Sequence, residues 1–193
     1  MARVICNMSA SLDGYVTGPN DSREHPFGDG AEVLHDWIFD GATDADRAVL
    51  QEMLDGVGAV VMGRTSFDKN EGDGGWGDGG PVGDAPCFVV THREPARAHP
   101  PLYRFVTDGV ASAIEQAKRS AGPKHVSLHG ATVMQQALPL GLVDEIHIHV
   151  IGVLLGAGTP LFASLDSAIA LERTRVTATP AATHLEFRVQ PLP

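Results

Sequence analysis

The chain is short of cysteine, aromatic residues and positive charge, and each shortage excludes a class of protein. Its 2 cysteines, Cys6 and Cys87, sit in apolar strand-like runs with no metal-type spacing, so buried free thiols are expected. The 14 basic residues stand against 24 acidic ones, giving a formal net charge of −10. No broad basic face can be built from that balance, so nucleic acid and acidic membrane surfaces are not the expected partners. One or two arginines in such a field would stand out. No apolar run is long enough to span a bilayer, and no charged start precedes a long apolar core, which predicts a cytoplasmic protein. A Gly-x-Gly-x-x-Gly loop after a strand is missing, as is a Walker-type lysine loop, so neither a standard dinucleotide fingerprint nor ATP hydrolysis is indicated.

What is present fits one domain over residues 1–193. The 193 residues are 43% hydrophobic, enough to bury roughly 70% of the unfolded surface. No internal repeat or linker divides them. The most informative stretch is Ala59–Asp68, Ala-Val-Val-Met-Gly-Arg-Thr-Ser-Phe-Asp. Its apolar β-branched start reads as a buried strand, and Gly63 breaks the run. Thr65 and Asp68 then have capping-box spacing for a helix start. Strand, tight turn and helix N-terminus together suit a phosphate, and Arg64 can fork onto one. The same residues also read as an ordinary strand-to-helix turn with a solvated arginine.

Arg3–Met8 is the first predicted strand, followed by turns at Asp13-Gly14 and Thr17–Ser22. Asp29 with Glu32 suggests a helix whose apolar face is Val33, Leu34, Trp37 and Ile38, with His35 and Asp36 off that face. Thr43 with Asp46 opens a second helix, which Gly56 closes. Residues 70–86 are too rich in glycine and aspartate for a core element. They read as a flap or surface loop carrying Trp76, and a loop this long inside a domain is more often functional than not. Strands at Cys87–Thr91, Tyr103–Val106, His125–His129 and Val143–Val153 alternate with helical patterns at 110–117 and 131–140. Two closing strands, 170–177 and 183–189, read as an antiparallel hairpin. The prediction is an α/β fold with a mostly parallel mixed sheet, helices on both faces and an antiparallel C-terminal edge.

Three strand ends carry related chemistry: Gly63-Arg64-Thr65, Thr91-His92-Arg93 and Gly130-Ala131-Thr132. In open α/β sheets ligands sit outside the carboxyl ends of strands. A pyrophosphate plus one further phosphate would use all three ends, which favours NADPH over NADH.

Met8–Val16, Val60–Asp68, Phe88–Arg93, Gly141–His147 and Leu154–Phe162 together resemble the dihydrofolate-reductase-like family. The resemblance is to its branch related to the C-terminal reductase domain of riboflavin biosynthesis. It implies that fold, NADPH as cofactor, a small heterocyclic substrate of pterin or pyrimidine type, and a homodimer. It further implies that Gly63, Arg64 and Thr65 contact cofactor phosphates and that Thr91, His92 and Arg93 lie at the adenosine 2′-phosphate. Gly130, Ala131 and Thr132 would line the pyrophosphate or nicotinamide, and Ser11, Leu12 and Asp13 the substrate pocket. Two departures stand out. Tyr15 replaces the lysine of the riboflavin-type Ser-Leu-Asp-Gly-Lys, and His129-Gly130-Ala131 replaces Glu-Gly-Gly, so an extra methyl group follows Gly130.

A reductase also needs a proton donor near the acceptor, with a pKa raised towards neutrality. Asp13 is the first candidate by position, Asp36 the second and His129 the third; Asp13 also reads as a plain turn residue. Trp37 is a candidate pocket wall. His147 and His149 share a strand face, but no third metal ligand is evident. A solvated or dimer-facing strand is expected there, without metal. The second functional reading is a protein of this fold that binds NADPH without turnover, such as a ligand sensor.

Overall fold

The computed structural model describes residues 2–72, 75–163 and 165–190. In chain order come β1 (Val4–Ser11), β2 (Tyr15–Thr17), a 3-10 turn (Glu32–His35) that runs into α1 (Asp36–Phe39), α2 (Asp44–Gly56), β3 (Val57–Gly63) and α3 (Arg64–Asn70). Then follow β4 (Cys87–Val90), β5 (Tyr103–Val106), α4 (Gly109–Ala121), β6 (His125–His129), α5 (Ala131–Ala137), β7 (Glu145–Ile151), β8 (Thr159–Pro160), β9 (Leu171–Ala178) and β10 (Thr183–Val189).

The main sheet has the order β5-β4-β3-β6-β1-β7-β10-β9. Strands β5 to β7 in that row are parallel, and β10 and β9 close it as an antiparallel hairpin. The predicted mixed sheet with an antiparallel edge is thus the observed one. The short pair β2–β8 forms a second, two-stranded sheet. It escapes a reading based on turn residues, because each strand is shorter than one period of a useful pattern.

Alternation along the central strands gives the sheet two different faces. On one, Val4, Cys6 and Ala10 of β1, Val126 and Leu128 of β6 and Ile146 of β7 pack against α4 and α5 in one continuous apolar core. The opposite face is divided. Val60, Met62, Phe67, Cys87 and Val89 form an apolar cluster under α3. Leu34, Trp37 and Ile151 form another beside α1 and α2. Between them the middle strands turn Asn7, Ser9, Ser127 and His129 to the same side.

Local signals account for some helices and fail for others. The Thr43–Asp46 capping box forms: Asp46 N–H donates to Thr43 Oγ1, and Thr43 N–H donates back to Asp46 Oδ2 at 2.7 Å. The Thr65–Asp68 box does not. Gly63 is the N-cap, and Asp68 instead takes the Arg64 Nε–H at 2.7 Å. Asp29 does not cap either; the short helical stretch begins after Ala31, and Asp29 accepts from Asn20 Nδ2. The described residues between 71 and 86 run through tight turns, with isolated bridges Gly72–Gly77 and Gly80–Gly83. Asp73 and Gly74 of that stretch lie outside the described residues.

Candidate active site

A cleft of about 530 Å³ opens over the polar middle of the divided face, towards the carboxyl ends of β1 and β6. Its floor is Asn7 and Ser9 of β1 with Ser127 and His129 of β6. One wall is His35, Trp37 and Phe27; the other is Thr65, Ser66 and Lys69 of α3 with Trp76 and Val82 of the glycine-rich stretch. Trp76 meets the His129 ring edge-on at 5.3 Å. The long predicted loop is therefore a cleft wall.

Three buried polar atoms here have no hydrogen-bond partner: Thr17 Oγ1, His35 Nδ1 and His129 Nδ1. All three residues line the cleft. Buried polar atoms are rarely left unmade without a reason, and a ligand that supplies their partners is one. Burial pushes the His129 imidazole down to about 4, with His35 nearby adding to the effect. Burial also lowers the pKa of His35, against a smaller opposing influence from Asp36. Both rings are neutral at pH 7.

Behind Trp37 runs a buried polar chain. β7 and β10 pair so that His149 and His184 stand directly opposite. Their Nδ1 atoms are 2.8 Å apart. His184 Nε2–H donates to Asp46 Oδ1 at 2.8 Å, and His149 Nε2 lies 2.7 Å from the Asn7 amide. Asp46 is fully buried. Burial alone would raise its carboxyl, but hydrogen bonds from Thr43, His184 and Thr179 outweigh that and bring it to about 2. Burial, with His184 adding to it, holds His149 down to about 3. The Nδ1–Nδ1 contact is a hydrogen bond with one proton shared between the two rings. At the other end Asn7 Oδ1 faces His149 Nε2 and accepts from it. The chain Asn7–His149–His184–Asp46 is thereby satisfied from the cleft floor to the α2 cap. Trp37 packs on both rings, at 4.4 and 4.9 Å, and donates Nε1–H to Ser9 Oγ at 2.9 Å. The expectation of a solvated strand is corrected for His149, which is buried against Trp37 and His184, while His147 is half-buried.

The sequence-predicted residues divide. Trp37, Thr65, His129, Gly130, Ala131 and Thr132 line the cleft. Asp13 and Asp36 do not. Asp13 accepts from Ser11 Oγ–H at 2.6 Å and from the Gly156 and Leu155 N–H groups at 2.7 and 3.1 Å. The Ser11 bond, and those two N–H groups against a smaller desolvation effect, lower the Asp13 pKa, the reverse of what a proton donor needs. Ser11 is spent in the same turn, taking Tyr15 N–H, and Leu12 projects outward at 67% exposure. Asp36 is exposed, off the Leu34–Trp37 face of the short helix, while His35 and Trp37 line the cleft.

Gly63, Arg64, Thr91, His92 and Arg93 stand at neighbouring strand ends, outside the cleft lining. Thr91 is buried and its hydroxyl donates to the Arg93 carbonyl at 3.0 Å. His92 and Arg93 are exposed, and the Arg93 guanidinium has no partner among the described residues. Gly130 has φ +96, a conformation that favours glycine, and a Cβ there would lie 2.5 Å from Ser66 Oγ. Gly63 is extended, and a Cβ on it would meet nothing closer than 3.6 Å, so the protein's own packing does not demand glycine there. The extra methyl of Ala131 is buried in the main core. Sequence reasoning missed Asn7, Ser9, Thr17 and the His149–His184–Asp46 chain. The polar alternation Asn7, Ser9, Ser11 inside an apolar strand was the available signal. The others depend on contacts distant in sequence.

Among the described residues no helix is long and apolar enough to cross a membrane, and no three or more His, Cys, Asp or Glu residues come together as a metal site. Comparison with known proteins agrees with the fold. The chain is 25% identical over 182 residues to the Bacillus subtilis (strain 168) protein named "Uncharacterized protein YyaP", covering 88% of this chain and 85% of that one. A putative riboflavin biosynthesis protein from Shewanella sp. PV-4 superposes with a TM-score of 0.73 at 22% identity, over 99% of this chain and 100% of that one. The Thermotoga maritima diaminohydroxyphosphoribosylaminopyrimidine deaminase/5-amino-6-(5-phosphoribosylamino)uracil reductase gives 0.64 at 17%, over 98% of this chain and 57% of that one. A pyrimidine reductase-like protein from Corynebacterium diphtheriae gives 0.61 at 16%, over 98% and 92%. The profile of the RibD C-terminal domain matches residues 2–185, so a dihydrofolate-reductase-like fold with this cleft at its strand ends belongs to the RibD C-terminal domain family.

Proposed function

We propose that the protein is an NADPH-dependent reductase of a small heterocycle. The observation that carries this reading is the cluster of unpartnered Thr17, His35 and His129 atoms in a cleft at the carboxyl ends of parallel strands. That is where ligands of open α/β sheets bind. Family membership adds the reductase chemistry.

The residues at the neighbouring strand ends fit a dinucleotide. Gly63 leaves a backbone cradle that a Cβ would narrow, Gly130 turns the chain sharply into α5, and Arg93 holds an uncommitted guanidinium in solvent. Gly63, Thr65, Gly130 and Thr132 would hold the cofactor's phosphate bridge, and Thr91 and Arg93 its 2′-phosphate. When bound, the reduced nicotinamide supplies a hydride. The chain's own residues do the rest. Trp37, Phe27 and Trp76 exclude water around the ring. Ser9 and Trp37 fix each other's orientation. The polar side of the cleft is the histidine side: His129 and His149, held neutral, are available there to hydrogen-bond the ring, a role Asp13 and Asp36 lack the position for.

The experiment is a thermal shift with NADPH and NADH on the wild type and Arg93→Ala. A ligand at about 100 times its Kd stabilises by about 2.7 kcal/mol. The wild type is expected to shift with NADPH far more than with NADH. Arg93→Ala should weaken NADPH by about 1.5–3 kcal/mol, the cost of a lost charged hydrogen bond, and leave NADH unchanged. Equal loss for both refutes the 2′-phosphate role, and no shift with either refutes the cofactor.

A further inference from the structure

Recognition of a phosphate ester in a cleft calls for an uncommitted cation, and arginine or lysine supplies it. The substrate end of this cleft has its charges already cancelled. Among the described residues two charged side chains line it, Asp21 and Lys69, and they form an ion pair with each other. Both are mostly buried, the side chains being 25% and 16% exposed, and burial lowers the Lys69 pKa. The seven residues outside the description include no lysine, arginine or histidine. Arg23, two residues from Asp21, donates to the Glu71 carbonyl, Arg64 is held by Asp68, and neither lines the cleft. What remains to be satisfied is neutral: one hydroxyl and two imidazole nitrogens. Such atoms match the N–H and C=O edge of an uncharged ring, and making those bonds removes a cost the empty protein carries. The surroundings are flat-sided. Phe27 stacks at 4.3 Å on His35, and Trp76 packs on His129 across the cleft.

Resting on the reductase reading of this cleft, we infer that its substrate is an uncharged, unphosphorylated planar heterocycle, held at its polar edge by Thr17, His35 and His129. This separates the chain from the Thermotoga maritima protein, whose name includes reduction of a phosphoribosylamino uracil. A phosphate brought into this cleft would have to break the Lys69–Asp21 pair and leave Asp21 as a buried, unpaired like charge.

The test is calorimetric binding of matched pairs, each ring against its ribosyl 5-phosphate, with and without NADPH. 5,6-Diaminouracil against 5-amino-6-(5-phosphoribosylamino)uracil is one pair, and lumazine against its ribosyl phosphate another. At least one uncharged ring should bind, at least tenfold tighter than its phosphorylated form. Asp21→Asn, which frees Lys69, should narrow that ratio at least threefold, and His35→Phe should lose at least tenfold in ring affinity. A phosphorylated form that binds as tightly as its ring overturns the inference, and so does a failure of every uncharged ring. The NADPH thermal shift is read separately, so a protein that binds rings but no dinucleotide would fail the reductase reading and not this one.

Discussion

The two faces of the central sheet are made from the same strands and have opposite characters. On β6, Val126 and Leu128 point into an unbroken apolar core, while Ser127 and His129 point into a cleft. On β1, Cys6 faces the core, while Asn7 and Ser9 face the cleft. Period-two alternation allows this, because successive side chains leave opposite sides of the strand. In a parallel sheet covered on both sides, an apolar run is the usual pattern. A polar stripe in its middle is the departure that marks a site. The apolar face supplies stability through burial. The divided face gives up some burial for unsatisfied and networked polar groups.

The largest effect should come from breaking the polar network at its anchor. Asp46→Ala removes the acidic half of the α2 capping box and leaves His184 without its acceptor. It should cost about 3–5 kcal/mol, the range for removing one member of a buried charged network, read by urea denaturation. A loss under 1 kcal/mol would mean that the chain is peripheral.

The neighbours Leu128 and His129 give the sharpest contrast. Leu128→Ala opens the apolar face and should cost about 2–5 kcal/mol, with ring or cofactor affinity per folded molecule retained. His129→Leu removes an unpartnered polar atom, so stability should change by less than about 1 kcal/mol, while ring binding is lost. The reverse pattern would break the distinction between the faces.

The smallest effect is in pH. His129 and His149 are held to about 4 and about 3 in the folded protein, against an ordinary value of 6.5. Below pH 6.5 the unfolded chain takes up protons that the folded chain refuses, so stability falls as pH drops towards 4. The loss at pH 5.5 should be about 1 kcal/mol for each of the two histidines, visible as a falling Tm. Asp46 acts in a lower window: its depressed pKa stabilises above pH 3.8, and that contribution goes only as pH falls towards 2. A Tm flat from pH 7 to 5 would mean that these histidines are not held neutral.

Much of the fold was legible because it rests on local pattern. The Thr43–Asp46 box, the apolar stripe of the helix after Gly109, the strand ends at Gly63 and His129 and the closing hairpin are all short-range. Where local chemistry misled, another contact had claimed the residue. Asp68 pairs with Arg64 rather than capping, and Asp13 is occupied by the distant Leu155–Gly156 backbone. Asp36 lies on the exposed side of the short helix, where the pattern of Leu34 and Trp37 had placed it, and its candidacy as an acid fails on that position.

By itself, then, the sequence determined the element order, the two-faced strands and the glycine turns at the strand ends, because periodicity and backbone conformation are properties of neighbours. Only the tertiary structure decided which polar residues meet. The β7–β10 register sets His149 opposite His184, the docking of α2 brings Asp46 to them, and the packing of Lys69 on Asp21 removes the charge from the cleft. Those contacts join residues up to 138 positions apart, and no short window of sequence records a distance of that kind.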